Sequence, residues 1–148
     1  MTARREVLVA SLGTLLLRPS IATATSTPDS LRAALAAFTG GAPVREGRVT
    51  MDIAPLVENG NAVPVSISVD SPMTAVDHVR RIALFTSRNP QPEVVVMHLG
   101  PRSGRAVVAT RMRLATSQQV LAVAELSDGS FWRQGVDVIV TLAACVEG

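Results

Sequence analysis

The chain has 148 residues, of which 47% are hydrophobic and 18% are charged; this fits one globular domain and excludes a disordered or highly charged tail. All 14 basic residues are arginine, and three of them precede residue 25, so the rest of the chain has 11 basic and 11 acidic residues. This balance removes the main support for a nucleic-acid partner. One cysteine excludes an internal disulfide and any multi-cysteine metal site.

The first 24 residues have the layout of an export signal. Arg4 and Arg5 precede an apolar run over residues 7–17, and Ala22-Thr23-Ala24 supplies a small-residue cleavage pattern. The paired arginines resemble a twin-arginine signal. A membrane anchor is the alternative, but the apolar run is much shorter than the ~20 residues that a span needs. We therefore predict export to the periplasm, removal of residues 1–24, and a mature domain over residues 25–148 with no membrane attachment.

The mature chain begins with one predicted helix. Thr27 is a suitable N-cap, Pro28 suits the first helical position, and Asp29 favours the positive end of the helix dipole. Apolar residues then recur at helical spacing up to Phe38, and Gly40-Gly41 provides a stop.

After Gly41 the apolar residues alternate with a period of two, which is typical of strands. Pro64 lies in one such run and favours a strand start or an edge. No helix separates the runs, so we predict an all-β, antiparallel sandwich of about seven strands behind a short N-terminal helix. The predicted strands cover residues 49–53, 63–69, 79–85, 94–99, 107–114, 120–126 and 136–142.

Cys145 follows the last predicted strand and lies three residues before the end of the sequence. If the strand frays at Ala143, residues 143–148 form a loose tail that carries the thiol about 10 Å beyond the strand. If the strand continues, Cys145 lies on its mixed face. A small buried residue is the structural alternative, because free cysteine is often buried. An unpaired cysteine in an exported protein indicates a reactive thiol or an intermolecular disulfide bond, and the terminal position favours the reactive thiol.

Other candidate groups are weaker. His78 and His98 lack a third ligand in sequence, so we predict no metal site and no cofactor. Arg111 and Arg113 share a strand face, which indicates either a pair of arginines that binds an anion or a solvated surface. Trp132 is either an interface anchor or part of the core.

Several short motifs, in this order, make the chain similar to the SoxY family of bacterial sulfur-oxidation proteins. The resemblance runs from about Leu31 to Cys145. Its motifs are Val57-Glu58-Asn59-Gly60-Asn61-Ala62-Val63-Pro64-Val65, Asp70-Ser71-Pro72-Met73, Asn89-Pro90, Thr110-Arg111-Met112-Arg113-Leu114-Ala115, and Ala124-Glu125-Leu126-Ser127-Asp128-Gly129-Ser130-Phe131-Trp132.

The resemblance implies an immunoglobulin-like sandwich that pairs with a second sandwich subunit, SoxZ. It implies that Cys145 binds thiosulfate or a related sulfur anion covalently. A c-type cytochrome would couple the anion to the thiol, and hydrolase and dehydrogenase partners would process it. The carrier would catalyse nothing itself.

The C-terminal segment departs from the family pattern. The family has a Gly-Gly-Cys-Gly-Gly arm, and this chain has Ala143-Ala144-Cys145-Val146-Glu147-Gly148. Alanine restricts the backbone more than glycine does, and Glu147 raises the pKa of a nearby thiol. A sulfur carrier with a divergent arm is the leading hypothesis. The alternative is a non-catalytic periplasmic interaction module that has lost sulfur carriage.

Overall fold

The computed structural model describes residues 28–144, which form one helix and nine strands. The elements in chain order are α1 (Pro28–Thr39), β1 (Val44–Glu46), β2 (Val49–Asp52), β3 (Leu56–Asn59), β4 (Val63–Val69), β5 (Val79–Thr86), β6 (Glu93–His98), β7 (Val107–Met112), β8 (Gln118–Leu126) and β9 (Phe131–Leu142). A short 3₁₀ helix, Pro101–Ser103, lies between β6 and β7. The predicted export signal and Thr27 lie outside the described residues, as does Cys145.

The strands form two sheets. The larger sheet has the order β1-β9-β8-β5-β6, with β3 also paired to β9, and the smaller sheet has the order β2-β4-β7. Apolar side chains of the two facing surfaces fill the space between the sheets, with fully buried Ile67, Ile82, Leu84 and Val120 among them. The predicted sandwich is therefore confirmed.

Two short strands were not predicted from the sequence. β1 and β3 both pair in parallel with β9, β1 along Phe131–Arg133 and β3 along Ile139–Leu142. The chain crosses to β2 in the other sheet between these two pairings. β9 also begins earlier than expected, at Phe131 instead of Val136. The predicted antiparallel arrangement thus holds for the other strand pairs and not for these two.

Pro64 lies near the start of β4, as the sequence predicted. β4 is the central strand of the smaller sheet, but β2 pairs only with Ser66–Val69. Pro64 pairs with Arg111 of β7 on the other side. The missing N–H of proline is therefore tolerated, because no strand lies along that part of the β2 side.

The helix α1 covers the outer face of the larger sheet. Phe38 packs edge-on against Phe85 and Phe131, with ring centroids 5.8 and 5.9 Å apart. The predicted stop is confirmed: Gly40 and Gly41 have positive φ, and the Gly41 N–H donates to the Ala36 carbonyl at 3.2 Å. β5 and β8 are consequently buried on both faces. Within residues 28–144, no helix has the length and apolar character needed to cross a membrane.

Candidate functional site

The candidate site lies at the C-terminal end of β9, where the described chain stops one residue before Cys145. β9 is rich in β-branched residues, which favour strands. β3 runs beside the last residues of β9, with Leu56 opposite Ile139 and Asn59 opposite Leu142. The Asn59-Gly60-Asn61 turn that follows β3 therefore lies next to the end of β9.

Three backbone hydrogen bonds hold this end of the chain. The Gly60 N–H donates to the Leu142 carbonyl at 2.9 Å, and the Leu114 N–H donates to the Gly60 carbonyl at 2.8 Å. The Ala144 N–H donates to the Leu114 carbonyl at 3.2 Å. We call these four residues the stem clamp. Ala144 is buried, although Leu142 and Ala143 are exposed.

Gly60 is required in the stem clamp by close approach. A Cβ atom at this position would lie 2.4 Å from the Leu114 carbonyl oxygen and 3.0 Å from the Ala144 nitrogen. It would also lie 3.1 Å from a methyl group of Val140. Two of these neighbours are backbone atoms that cannot move without breaking the clamp. Any side chain at residue 60 would therefore push the three segments apart.

Side-chain amides fix the loop that carries Leu114. Asn89 donates to the Arg113 carbonyl at 2.8 Å and accepts from the Ala115 N–H at 3.0 Å. It also accepts from the Gln118 side chain at 2.8 Å. Gln118 is buried and accepts in turn from the Arg88 N–H. The Asn59-Gly60, Asn89-Pro90 and Arg113-Leu114 motifs therefore meet at one place.

The stem clamp corrects one of the sequence expectations. The chain is not a free tail from Ala143, because Ala144 is buried and hydrogen-bonded to Leu114. Nor does the strand continue, since β9 ends at Leu142. The sequence showed the motifs but did not show that they meet, because each interaction joins residues far apart in the chain.

A second polar cluster surrounds Trp132 near the start of β9. The Trp132 indole N–H donates to the Ser130 hydroxyl at 3.0 Å, and that hydroxyl donates to Asp128 at 2.6 Å. The Arg45 and Arg48 guanidinium carbons lie 5.5 and 5.1 Å from the ring centroid. Trp132 is half-buried and packs against the edge of the core, so it has a packing role and one accessible side.

The Ser130 hydroxyl has the largest effect on Asp128. Its hydrogen bond lowers the pKa of the Asp128 carboxyl, and the Ser130 backbone N–H and the Arg48 charge lower it further. Desolvation acts in the opposite direction, with an effect larger than that of Arg48. The ionised carboxylate is therefore part of the folded Ser127–Ser130 turn.

The weaker candidates are not brought together. His78 precedes β5 and its Nδ1 lies 3.1 Å from the Thr74 carbonyl oxygen, whereas His98 ends β6 and is exposed. No group of three potential metal ligands occurs within residues 28–144. Arg111 lines an open groove with Asp52, and Arg113 lines a different one with Asn89 and Glu93. The two arginines are solvent-exposed.

A SoxY protein is among the solved structures that this chain resembles. The sulfur carrier protein SoxY from Chlorobium limicola f thiosulfatophilum is 29% identical, with a TM-score of 0.65 over 77% of this chain and 98% of that one. A superoxide reductase (neelaredoxin) from Ignicoccus hospitalis is 17% identical, with a TM-score of 0.57 over 82% of this chain and 98% of that one. This second likeness shows the fold alone. No match to a curated protein sequence was found.

The family comparison covers most of the described chain. The model of the sulfur oxidation protein SoxY matches residues 35–145, from the middle of α1 through the stem clamp to the cysteine. The immunoglobulin-like sandwich that the resemblance implied is the fold of the SoxY neighbour and of this chain. The chain belongs to the SoxY family of sulfur oxidation proteins.

Proposed function

We propose that this protein is an exported sulfur carrier that binds thiosulfate or a related sulfur anion through Cys145. The thiol loses its proton and forms an S–S bond to the sulfane sulfur of thiosulfate, giving a Cys–S–S–SO₃⁻ group. Two electrons leave in this step, and a c-type cytochrome partner takes them. Partner enzymes then process the bound sulfur, and the chain itself acts as the carrier.

The observation that carries this proposal is the extent of the family match, which includes Cys145 as its last residue. The described chain supports it in one further way. Ala143 is exposed just beyond the end of β9, so the backbone lies at the protein surface two residues before the cysteine. The protein of known structure that shares the fold at 29% identity is named a sulfur carrier.

The remaining parts of the proposal follow from the sequence and the family. Residues 1–24 act as a twin-arginine-like signal, and residues 25–148 form the periplasmic domain. A SoxZ-like sandwich is the proposed subunit partner, and c-type cytochromes and sulfur-processing enzymes are the proposed transient partners. The carrier needs no cofactor of its own, because the oxidant resides in the cytochrome.

Intact mass tests the covalent step. The full chain is incubated with thiosulfate and the thiosulfate-oxidising c-type cytochrome of the same cell. We expect a mass gain of one S₂O₃ group that dithiothreitol removes, and no gain for Cys145→Ser. An unmodified thiol in the presence of an active cytochrome contradicts the proposal.

The alternative function is a non-catalytic interaction module. The stem clamp favours this alternative over a carrier with a freely moving arm. Two alanines stand where the family has glycines, and Ala144 is buried. In this case Cys145→Ser leaves both the binding of the SoxZ-like subunit and thiosulfate-dependent growth unchanged. If Cys145→Ser instead retains the binding of the subunit but loses thiosulfate-dependent growth, the result supports the carrier.

A further inference from the structure

β7 is an outer strand of the smaller sheet, and within residues 28–144 no strand pairs with its far side. Its register against β4 is regular from Val107 to Met112. One step beyond that register, the Val69 N–H donates to the Ala106 carbonyl at 2.9 Å. Hydrogen-bonded and non-hydrogen-bonded pairs alternate in an antiparallel ladder, so this bond determines which residues of β7 point their backbone groups toward β4.

Three alternate residues of β7 therefore direct their N–H and C=O groups away from β4. They are Val107, Ala109 and Arg111. Pro64 agrees with this phase, because it lies opposite Arg111 in a pair that needs no N–H. Among the described residues, no backbone group of another strand binds these three, and the Thr110 hydroxyl donates to the Arg111 carbonyl at 3.5 Å. We call this row of free backbone groups the β7 edge.

The chain around the β7 edge has only basic formal charges. Residues 94–124 contain four arginines and no aspartate or glutamate. All four are exposed, two before β7 and two at its end: Arg102, Arg105, Arg111 and Arg113. None of them forms an ion pair within the part of the chain that the structure describes. Asp52 and Glu93 line the grooves of Arg111 and Arg113 but lie beyond ion-pair distance. These arginines therefore lack a counter-charge.

The β7 edge also lacks most of the features that protect edge strands. Its pairing with β4 has no bulge, and the strand contains no proline or lysine. Val107 is 53% exposed on the outer face of the sheet. Val108, on the other face, is half-buried and packs against the core between the sheets. A further strand would cover Val108 and bind the free backbone groups.

We propose that the β7 edge binds an extended, acidic segment of a partner protein as an added strand. The backbone of the segment pairs with the free N–H and C=O groups, which supply affinity in this mode of recognition. Its acidic side chains lie on the outer face beside Arg111 and at the two ends near Arg105 and Arg113. Apolar side chains alternate with them and cover Val108.

Charge decides between an acidic partner and a second copy of this chain. A second β7 would bring the same four arginines to the same place, and like charges on neighbouring strands destabilise the pairing. An acidic segment supplies the missing counter-charge instead. The β7 edge takes no part in the proposed sulfur chemistry of Cys145, so it can be tested without thiosulfate.

An NMR titration with synthetic peptides tests the added strand. The probe is a capped peptide of about seven alternating Glu and Val residues, long enough to span β7, added to the ¹⁵N-labelled full chain. We expect the largest amide shifts at Val107, Ala109 and Arg111. Affinity should fall at least about fivefold when the ionic strength rises from about 0.02 M to about 0.3 M. The same peptide with Lys in place of Glu is the control. An absence of shifts in β7, or equal shifts with the Lys peptide, overturns the proposal.

Two kinds of variant separate backbone pairing from charge. Ala109→Pro removes an N–H that points away from β4, so it should abolish the shifts without breaking the sheet. Arg111→Gln combined with Arg113→Gln should weaken binding about fivefold. Arg32→Gln, at an exposed position of α1, is the control for charge. A folded Ala109→Pro protein that still binds the Glu peptide overturns strand addition, and an equal loss with Arg32→Gln overturns the role of the two arginines.

Hydrogen exchange covers the case in which Ala109→Pro does not fold. In the unsubstituted chain, the Glu peptide at saturation should slow the exchange of the Val107, Ala109 and Arg111 amides, because each donates to the added strand. Exchange of the Val108 and Thr110 amides, which already point toward β4, should change less. Unchanged exchange at the three edge positions overturns the proposal.

Discussion

Arg81 and Phe38 contact each other in two ways, and this pair joins α1 to the larger sheet. The Arg81 guanidinium lies 4.3 Å from the centre of the Phe38 ring and donates to the Phe38 carbonyl at 3.2 Å. The same guanidinium forms an ion pair with Glu125 of β8. One side chain therefore links the helix to two central strands.

Replacing Arg81 should destabilise the protein more than replacing a surface arginine. Arg81→Ala leaves Glu125 without its partner at 15% side-chain exposure. We expect a loss of about 2–3 kcal/mol in the free energy of unfolding, measured with urea. Arg32→Ala is the control, because its ion pair with Asp29 is exposed and should be worth less than about 0.5 kcal/mol. Equal losses for the two variants would contradict this account of Arg81.

Asn89 should affect both stability and the stem clamp. Asn89→Ala removes three hydrogen bonds and leaves the buried Gln118 amide without one partner. We expect a cost of about 1–3 kcal/mol in urea unfolding. The amide hydrogen of Ala144 should also exchange faster, since Asn89 holds the backbone on either side of Leu114, whose carbonyl accepts from Ala144. Asn61→Ala, at an exposed turn position, should change stability far less; a similar loss there would contradict the role of the Asn89 network.

Asp128 should make stability depend on pH in the acidic range. Its pKa is lowered in the folded state from an ordinary value of 3.8, chiefly by the Ser130 hydroxyl. The stability that Asp128 contributes is therefore complete above the pKa of its carboxyl in the unfolded chain. It is lost as the pH falls through the pKa of that carboxyl in the folded chain. We expect Asp128→Asn to be less stable than the unsubstituted chain at pH 7. The difference in urea midpoint should shrink below about pH 4.

A second variant tests the cause of this pKa shift. Ser130→Ala removes the hydroxyl that has the largest effect, so the pKa of the Asp128 carboxyl should rise toward its ordinary value. Carboxyl ¹³C chemical shifts, followed by NMR over the acidic range, measure this rise. An unchanged titration in Ser130→Ala would show that the hydroxyl is not the cause.

Arg45 and Arg48 should shield the Trp132 ring from solvent. Trp132 is the single tryptophan, so its fluorescence reports on this cluster alone. The two guanidinium carbons lie 5.5 and 5.1 Å from the ring centre. Arg45→Ala or Arg48→Ala should therefore raise the acrylamide quenching constant of Trp132. It should also cost about 0.5–1 kcal/mol of stability. Arg102→Ala changes an exposed side chain in the 3₁₀ helix and should leave quenching unchanged; an equal increase there would contradict the prediction.

The sequence predicted those elements whose apolar pattern is long enough to read. α1 has a full stripe from Leu31 to Phe38, and β4 alternates cleanly over seven residues. β1 and β3 have only three and four residues, too few for periodicity to distinguish a strand from a loop. They are strands because β9 offers an edge for pairing, which is a property of the folded chain.

The candidate site was predictable in its chemistry and not in its geometry. The lone Cys145 could be identified from its position, and the neighbouring motifs were visible as turn signals. The role of Gly60 depends on contacts with Leu114 and Ala144, which are distant in sequence. The sequence Asn59-Gly60-Asn61 is typical of a turn, but Gly60 has no positive φ, and only the packed structure shows that close approach excludes a larger residue there.

The two short strands beside β9 have a consequence for self-association. Edge strands expose unpaired backbone groups that can recruit another chain and start aggregation, and very short edges reduce this risk. Here the flank next to β9 is divided into β1 and β3, separated by the crossing to β2. Neither piece offers a long, flat template. The longer β6, on the opposite flank, is the edge of this sheet that is better suited to recruit a foreign strand.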